Sequence, residues 1–172
     1  RGGTGILLDP EVGRDAKYSR AVGVNPEKLI CPQPKDDADF FTLQSVFNFI
    51  AKTSDFFASR SGFDPVKTPV LIGLDSVAGL PTDEDLKRDS GAVKPGDAAK
   101  TIRHALRNII QRIAKSGITL VFINQLYDNI GGFGFDTRRE YGGRGIRYHA
   151  SLRIRLSKMG AIKDSKGVVT GA

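Results

Sequence analysis

The sequence predicts an α/β fold with a mainly parallel central sheet, flanked by helices and carrying an antiparallel extension. Three observations lead to this prediction. Short apolar segments alternate with longer segments of helical periodicity. Polar residues directly follow three of the apolar segments. Two adjacent segments of alternating character then follow near the end of the chain.

Short apolar segments predict four strands of the central sheet, at residues 4–9, 29–31, 69–75 and 118–123. The segment 69–75 shows little alternation, which is typical of a strand that is covered on both faces. The later segments 146–157 and 159–169 alternate more clearly, so they predict two further strands in a meander.

Helical periodicity predicts three helices, at residues 14–22, 39–60 and 98–115. The third is the clearest, because Ile102, Leu106 and Ile109 follow the spacing of one buried stripe. The stretches 79–97 and 126–145 are rich in glycine, proline or charge, and they predict loops.

Composition limits the possible partners and compartments. The 172 residues suit one domain, and the net charge of +7 favours an anionic partner, with nucleic acid as the first candidate. Cys31 is the only cysteine, which favours a reducing, cytoplasmic compartment. The sequence shows neither a signal peptide nor an apolar run long enough to span a bilayer. Since it starts without methionine, we expect it to be part of a longer protein.

Polar residues at three strand ends predict chemistry at the carboxyl edge of the sheet. Asp75-Ser76 has the form of a Walker B segment, whose carboxylate holds the hydration shell of Mg²⁺, or else it forms a turn. Glu11 could activate a water molecule, or it could be a solvated loop acid. Gln125 could contact a γ-phosphate, or it could be a polar strand end. Their joint placement is more specific than any one of them.

The stretch 126–145 carries a second signal, because it combines arginines with the aromatic residues Tyr127, Phe133, Phe135 and Tyr141. Such a loop is typical of single-strand binding, although a disordered surface loop is the alternative. From Arg138 to Lys163 there are eight basic residues and one acid, Glu140. We therefore favour a phosphate-facing surface over a merely solvated sheet face.

Other kinds of site find little support in the sequence. No Gly-x-x-x-x-Gly-Lys-Ser/Thr segment occurs, and no cysteine or histidine spacing fits zinc. His104 and His149 are the only histidines, and they give no support to a Ser-His-Asp site.

Several longer segments carry a more specific pattern. They are Leu7 to Glu11, Asp15 to Tyr18, Leu74 to Ala78, Phe122 to Gln125, Gly142-Gly143, Tyr148 to Arg153 and Gly160 to Lys163. Together they resemble the RecA family of recombinases over nearly the whole chain. From Asp75 onward the resemblance needs no gaps, and it implies a RecA-like ATPase core.

The resemblance implies an ATP site that uses Mg²⁺. Glu11 would activate water for hydrolysis, and Gln125 would couple the γ-phosphate to the loop that follows it. Asp75 would hold Mg²⁺ through water, while Tyr18 would stack on adenine. The nucleotide-binding residues that it implies are Asp15, Tyr18, Asp75 and Ser76.

The same resemblance implies two DNA-binding loops, at about 81–96 and 126–143, and a helical filament on single-stranded DNA that pairs with homologous duplex DNA. Arg147 and Tyr148 would stand near the subunit interface. The DNA-binding residues that it implies are Lys87, Arg88, Lys94, Lys100, Arg107, Tyr127, Phe133, Phe135, Arg138, Arg139, Gly142, Gly143 and Arg144.

The sequence also departs from the family pattern. The second loop begins Leu126-Tyr127-Asp128-Asn129 in place of a basic, methionine-containing stretch, and the first loop is unusually charged. We expect the family's P-loop to precede residue 1. A DNA-dependent recombinase is the favoured hypothesis. The alternatives are a non-catalytic or truncated DNA-binding paralogue and a helicase-type ATPase of the same core.

Overall fold

The computed structural model describes residues 2–34, 41–87, 96–128, 138–157, 160–163, 165 and 169–171. The elements, in chain order, are β1 (Thr4–Leu8), α1 (Ala16–Ala21), β2 (Leu29–Ile30), α2 (Leu43–Ser59), β3 (Val70–Leu74), a 3-10 turn (Val77–Gly79), α3 (Asp83–Leu86), α4 (Asp97–Ser116), β4 (Thr119–Phe122), β5 (Leu126–Asp128), β6 (Arg138–Glu140), α5 (Gly145–His149), β7 (Ile162–Lys163) and β8 (Val169–Gly171).

A four-stranded parallel sheet in the order β2-β1-β3-β4 forms the centre of the fold. In the register, Leu8 pairs with Leu74 and Leu74 pairs with Phe122, so three strands finish level with one another. The predicted parallel sheet and its four strands are therefore confirmed. Within the described ranges, no helix is long and apolar enough to cross a membrane.

Helices α2 and α4 pack on each other and on the sheet to form one hydrophobic core. The Phe47 ring of α2 meets the Phe122 ring of β4 edge to face, with ring centroids 5.9 Å apart. Ile102 and Ile109 of α4 are buried, as the helical spacing predicts. Helix α4 ends at Gly117, whose φ of +65° suits a residue without a side chain.

One prediction about the sheet is wrong for the described residues. In β3, Val70, Ile72 and Leu74 are buried, but Leu71 is 47% exposed. Val121 of β4 is exposed as well. The two helices cover one face of the sheet, and the other face is open here. An apolar run makes a strand compatible with burial on both faces, but burial also requires a helix or another sheet to pack on each face. Among the described residues, helices pack on only one face.

The late part of the chain also differs from the prediction. Residues 145–149 form α5 in place of the start of a strand, and residues 150–157 have no strand partner among the described residues. The alternation of Leu152 to Leu156 suits a strand, but a strand also requires a neighbour that accepts its hydrogen bonds. Antiparallel pairing late in the chain is confirmed, because β5 pairs with β6 and β7 pairs with β8, but each pair forms a two-stranded sheet of its own.

Parts of both predicted loops have regular structure. The first contains α3, and the second starts with β5 and contains its partner strand β6. Four predicted DNA-binding residues lie outside the described residues, namely Arg88, Lys94, Phe133 and Phe135.

Candidate functional site

The carboxyl edge of the sheet brings two acidic residues together. Asp9 follows β1 and Asp75 follows β3, and the last residues of these strands are paired. The backbone N–H of Asp75 donates to the carbonyl of Leu8 at 3.0 Å, so the pairing continues past the strand ends. On the other side, the N–H of Ile123 donates to the carbonyl of Leu74 at 3.0 Å. The register alone thus sets the two acids side by side.

Asp9 organises the tight turn that carries Glu11. Its side chain is buried, and its carboxylate accepts hydrogen bonds from the backbone N–H groups of Gly13 at 3.3 Å and Arg14 at 3.1 Å. Val12 lies in this turn with a φ of +52°, which is unusual for a β-branched residue. The carboxylate of Asp9 therefore holds a strained turn in place, and Glu11 is part of that turn.

The Glu11 side chain lies against the segment that follows β3. Ser76, whose side chain is buried, donates a hydrogen bond from Oγ to Glu11 Oε1 at 2.6 Å. A Cβ atom added to Gly79 would lie 3.0 Å from both Cγ and Oε1 of Glu11, so the glycine makes room for this side chain. Sequence reasoning placed Ser76 with the nucleotide-binding residues, whereas its observed partner is Glu11.

The pKa of Asp75 is raised above its usual 3.8, first by partial burial and then by the nearby carboxylates of Glu11 and Asp9. Three carboxylates therefore share one edge of the sheet. The described residues contain no group of three or more His, Cys, Asp or Glu side chains that could bind a metal directly. The arrangement suits a hydrated cation such as Mg²⁺, which acids contact through water.

Gln125 follows β4 at the same edge, and its backbone is tied to the far end of the second loop. The N–H of Tyr141 donates to the Gln125 carbonyl at 3.2 Å, and the Asn124 side chain donates to the Tyr141 carbonyl at 3.0 Å. The Tyr141 ring is packed against the hydrophobic core. A displacement of Gln125 would therefore move Tyr141, at the end of the second loop, through these hydrogen bonds.

Asp15 and Tyr18 lie at the start of α1. The Asp15 carboxylate caps this helix by accepting from the N–H groups of Lys17 at 2.6 Å and Tyr18 at 3.0 Å. The structure therefore gives Asp15 a local role as a helix cap, whereas its predicted part in nucleotide binding stays a prediction. The Tyr18 side chain is exposed and free of aromatic neighbours among the described residues.

The turn of Gly142 and Gly143 packs directly on α4. Both glycines have positive φ values, of +74° and +70°, and a Cβ atom on Gly142 would overlap Cδ1 of Ile102. Gly145 lies against the backbone of Arg103. The turn and Arg144 therefore lie beside the helix that carries the predicted DNA-binding residues Lys100 and Arg107, both of which are exposed.

Arg103 was not among the predicted DNA-binding residues, although it lies on the same helix as Lys100 and Arg107. It is exposed, and it shares a helix face with Lys100 and Arg107 through the spacing i, i+3 and i+7. That spacing was visible in the sequence. The contact with Gly145, which brings Arg103 next to the second loop, was not.

The other predicted DNA-binding residues in the described part are exposed. Lys87 at the end of α3 forms an ion pair with Glu84 at 3.4 Å. Tyr127 pairs across the β5–β6 hairpin with Arg139, and Arg138 pairs there with Asp128. Bases could thus stack near cationic groups on this hairpin.

Arg147 and Tyr148, which were predicted to stand near a subunit interface, both lie on α5. The Tyr148 side chain is exposed, whereas Arg147 forms an ion pair with Glu140 at 3.1 Å within the chain.

A four-stranded parallel sheet flanked by helices, with polar residues along its carboxyl edge, defines the class, which is an α/β fold of the RecA-like type. The chain belongs to the RecA family, because the family model described as "RecA N-terminal domain" matches residues 1–172. The resemblance in the sequence is thereby confirmed.

Curated relatives support the same family. The chain is 31% identical over 169 residues to "Protein RecA" of Nitratidesulfovibrio vulgaris (strain DP4), which covers 98% of this chain and 43% of the relative. It is 30% identical over 159 residues to "Protein RecA" of Deinococcus radiodurans, covering 92% of this chain and 39% of the relative. A third relative is "DNA repair protein recA homolog 1, chloroplastic" of Arabidopsis thaliana, which is 31% identical and covers 96% of this chain and 34% of the relative. The chain thus spans less than half the length of these relatives.

Proposed function

We propose that the protein is a DNA-dependent ATPase that forms filaments on single-stranded DNA and catalyses homologous pairing and strand exchange in the cytoplasm. The observation that carries this proposal is the hydrogen bond between Ser76 and Glu11 beside Asp75, at the carboxyl edge of the sheet. Membership of the RecA family supports the DNA-dependent part.

Glu11 is the proposed general base for the attacking water. A carboxylate in this role must point at a fixed position, and the bond from Ser76 together with the turn held by Asp9 provides that constraint. The second carboxylate oxygen of Glu11 takes no part in the bond from Ser76, so it is the one that would accept the proton from water.

Asp75 is the proposed partner of Mg²⁺, which it would contact through water. When bound, the ion neutralises charge that develops on the phosphates of ATP. The raised pKa of Asp75 supports this role, because a cation at this edge would relieve its repulsion by Glu11 and Asp9. Asp15 and Tyr18 on α1 would hold adenine.

Gln125 is the proposed link between nucleotide and DNA. Its side chain would contact the γ-phosphate, and its carbonyl accepts from the N–H of Tyr141 at the end of the second loop. The hydrogen bonds around Tyr141 supply a short path by which ATP binding would reorganise this loop.

The basic face of α4 and the β5–β6 hairpin form the proposed DNA surface. Lys100, Arg103 and Arg107 would contact phosphates, while Tyr127 would stack on bases. The glycine turn packed on α4 brings the two parts of this surface together.

The experiment that tests the proposal measures ATP hydrolysis by the full-length protein with and without single-stranded DNA, beside Glu11→Gln. We expect DNA to stimulate hydrolysis, and Glu11→Gln to lower kcat by at least about 100-fold, in line with the loss of a general base. Glu27→Gln is the matched control, because Glu27 is an exposed acid outside the proposed machinery.

Other outcomes would contradict parts of the proposal. Hydrolysis that is indifferent to DNA would indicate another ATPase of this core, and electron microscopy would then separate closed rings from helical filaments. A protein that binds DNA without hydrolysing ATP would be a non-catalytic paralogue.

A further inference from the structure

Glu140 forms ion pairs with two arginines at the base of the second loop. Its carboxylate oxygen Oε1 accepts from the guanidinium of Arg147 at 3.1 Å and also from that of Arg153. The Glu140 side chain is 17% exposed, whereas those of Arg147 and Arg153 are 48% and 49% exposed. The acid is thus held beneath two cations that face solvent.

The surroundings of Glu140 make this arrangement unusual. Between positions 138 and 157 the sequence has six arginines and no acid other than Glu140. Glu140 lies on β6, next to Tyr141, which is bonded to the backbone of Gln125. Arg147 lies on α5, and Arg153 lies in the segment without regular structure that follows. A single carboxylate therefore joins the loop hairpin to both later segments.

We propose that Glu140 occupies, within the protein itself, the position of a nucleic-acid phosphate, and that phosphates of single-stranded DNA displace it from Arg147 and Arg153. The proposal rests on the proposed function, because it assumes that the second loop binds DNA. It adds a regulatory contact that lowers DNA affinity and favours the DNA-free arrangement of the hairpin.

The charges give the physical reason. Both guanidinium groups are half exposed, so an incoming phosphate can approach them from the solvent side while the carboxylate lies on the inner side. Arginine binds carboxylate and phosphate in similar geometry, so the two anions compete for the same donors. Displacement of Glu140 would free β6 from α5 at the moment when DNA binds.

The test compares binding of a fluorescent poly-dT oligonucleotide by the full-length protein, Glu140→Gln and Glu27→Gln, across a salt series. The two variants make the same change in net charge, but Glu27 pairs only loosely with Arg20, at 3.8 Å, far along the chain from the loop. We expect Glu140→Gln to bind about tenfold more tightly than Glu27→Gln. The slope of log affinity against log salt should steepen by about 1.4, which is about 0.7 for each released arginine.

Arg153→Gln, alone and combined with Glu140→Gln, completes a double-mutant cycle. Because Arg147 is still released, we expect about half of the slope change from Glu140→Gln, about 0.7, to disappear when Arg153 is absent. Circular dichroism and thermal melting check that each variant is folded, and Glu140→Asp provides a second variant that shortens the side chain without changing its charge.

The outcomes separate this inference from the proposed function. If the parent protein binds DNA and Glu140→Gln behaves like Glu27→Gln, the inference is wrong and the proposed function stands. If neither the parent protein nor Glu140→Gln binds the oligonucleotide, both are wrong. A gain from Glu140→Gln that is undiminished in the absence of Arg153 would also overturn the inference, because the gain would then come from general charge.

Discussion

The hydroxyl of Ser76 donates a 2.6 Å hydrogen bond to Oε1 of Glu11, although 65 positions separate the two residues in the chain. The pair joins the turn after β1 to the segment after β3. Since the Ser76 side chain is buried, its position is fixed by the sheet, and Glu11 takes its orientation from it.

Ser76→Ala should therefore impair catalysis more than substrate binding. We expect kcat for ATP to fall about tenfold, equivalent to about 1.4 kcal/mol, with KM for ATP nearly unchanged. Steady-state kinetics of the full-length protein check this, with Ser59→Ala, an exposed serine at the end of α2, as the control. An unchanged kcat would show that Glu11 does not depend on Ser76.

Substitution of Asp9 should lower both the free energy of unfolding and kcat. Asp9→Ala removes the acceptor for two backbone N–H groups in the turn of Glu11, and we expect a loss of about 2 kcal/mol in the free energy of unfolding. Asp9→Asn keeps one carbonyl oxygen as an acceptor, so its loss should be smaller. Urea unfolding and kcat are the measurements, and equal effects of the two substitutions would contradict this role.

Asp75 should destabilise the protein at neutral pH in the absence of nucleotide. Its pKa in the folded state is raised above 3.8, so the folded protein binds this proton more tightly than the unfolded chain does. The favourable contribution of Asp75 is complete below pH 3.8 and is lost as the pH rises through the folded-state pKa. The unfolding free energy of Asp75→Asn relative to the parent protein should therefore increase over that range.

Urea unfolding without Mg²⁺ or ATP, at several pH values from 4 to 7, measures this difference. Asp75→Asn should be the more stable protein at pH 7, and it should have lost ATP hydrolysis. A difference that stays constant with pH would show that Asp75 does not titrate differently in the folded and unfolded states.

Gly142 should tolerate a side chain less well than Gly62 does. The two glycines have nearly the same φ, +74° and +75°, but only Gly142 has Ile102 where a Cβ atom would lie. We expect Gly62→Ala to cost about 1 kcal/mol from backbone strain alone. Gly142→Ala should cost about 1–3 kcal/mol more from overlap. Equal costs in chemical denaturation would mean that the turn moves freely away from α4.

The elements that sequence analysis predicted best are those with long, regular patterns. Helix α4 repeats its apolar stripe over five turns, and Gly117 marks its end, so both features were visible in the sequence. Helix α5 has only five residues, and its neighbours alternate as a strand does. Local pattern therefore favoured the wrong element there.

The site was predictable only in part. Parallel strands that finish level bring Asp9, Asp75 and Gln125 to one edge, and this follows from fold class alone. The partner of Ser76 and the two arginines held by Glu140 depend on side-chain orientation across long stretches of chain. The spacing of residues in the sequence does not predict such contacts.

The level pairing of Leu8 with Leu74 limits how the chain can change in length. Each residue of a strand advances it by about 3.3 Å and turns the next side chain to the opposite face. Deletion of one residue inside β3 would shift Asp75 by one position along the strand, away from the carboxyl edge. It would also turn the Asp75 side chain to the opposite face of the sheet. The connection after α2 lies outside the strands, but Phe63 packs on the core and the Pro69 carbonyl accepts from the N–H of Thr4. Its exposed part around Val66 is therefore where residues can be gained or lost with least effect on that alignment. Length variation among natural or engineered versions of this chain should accordingly collect in such connections and spare the strands.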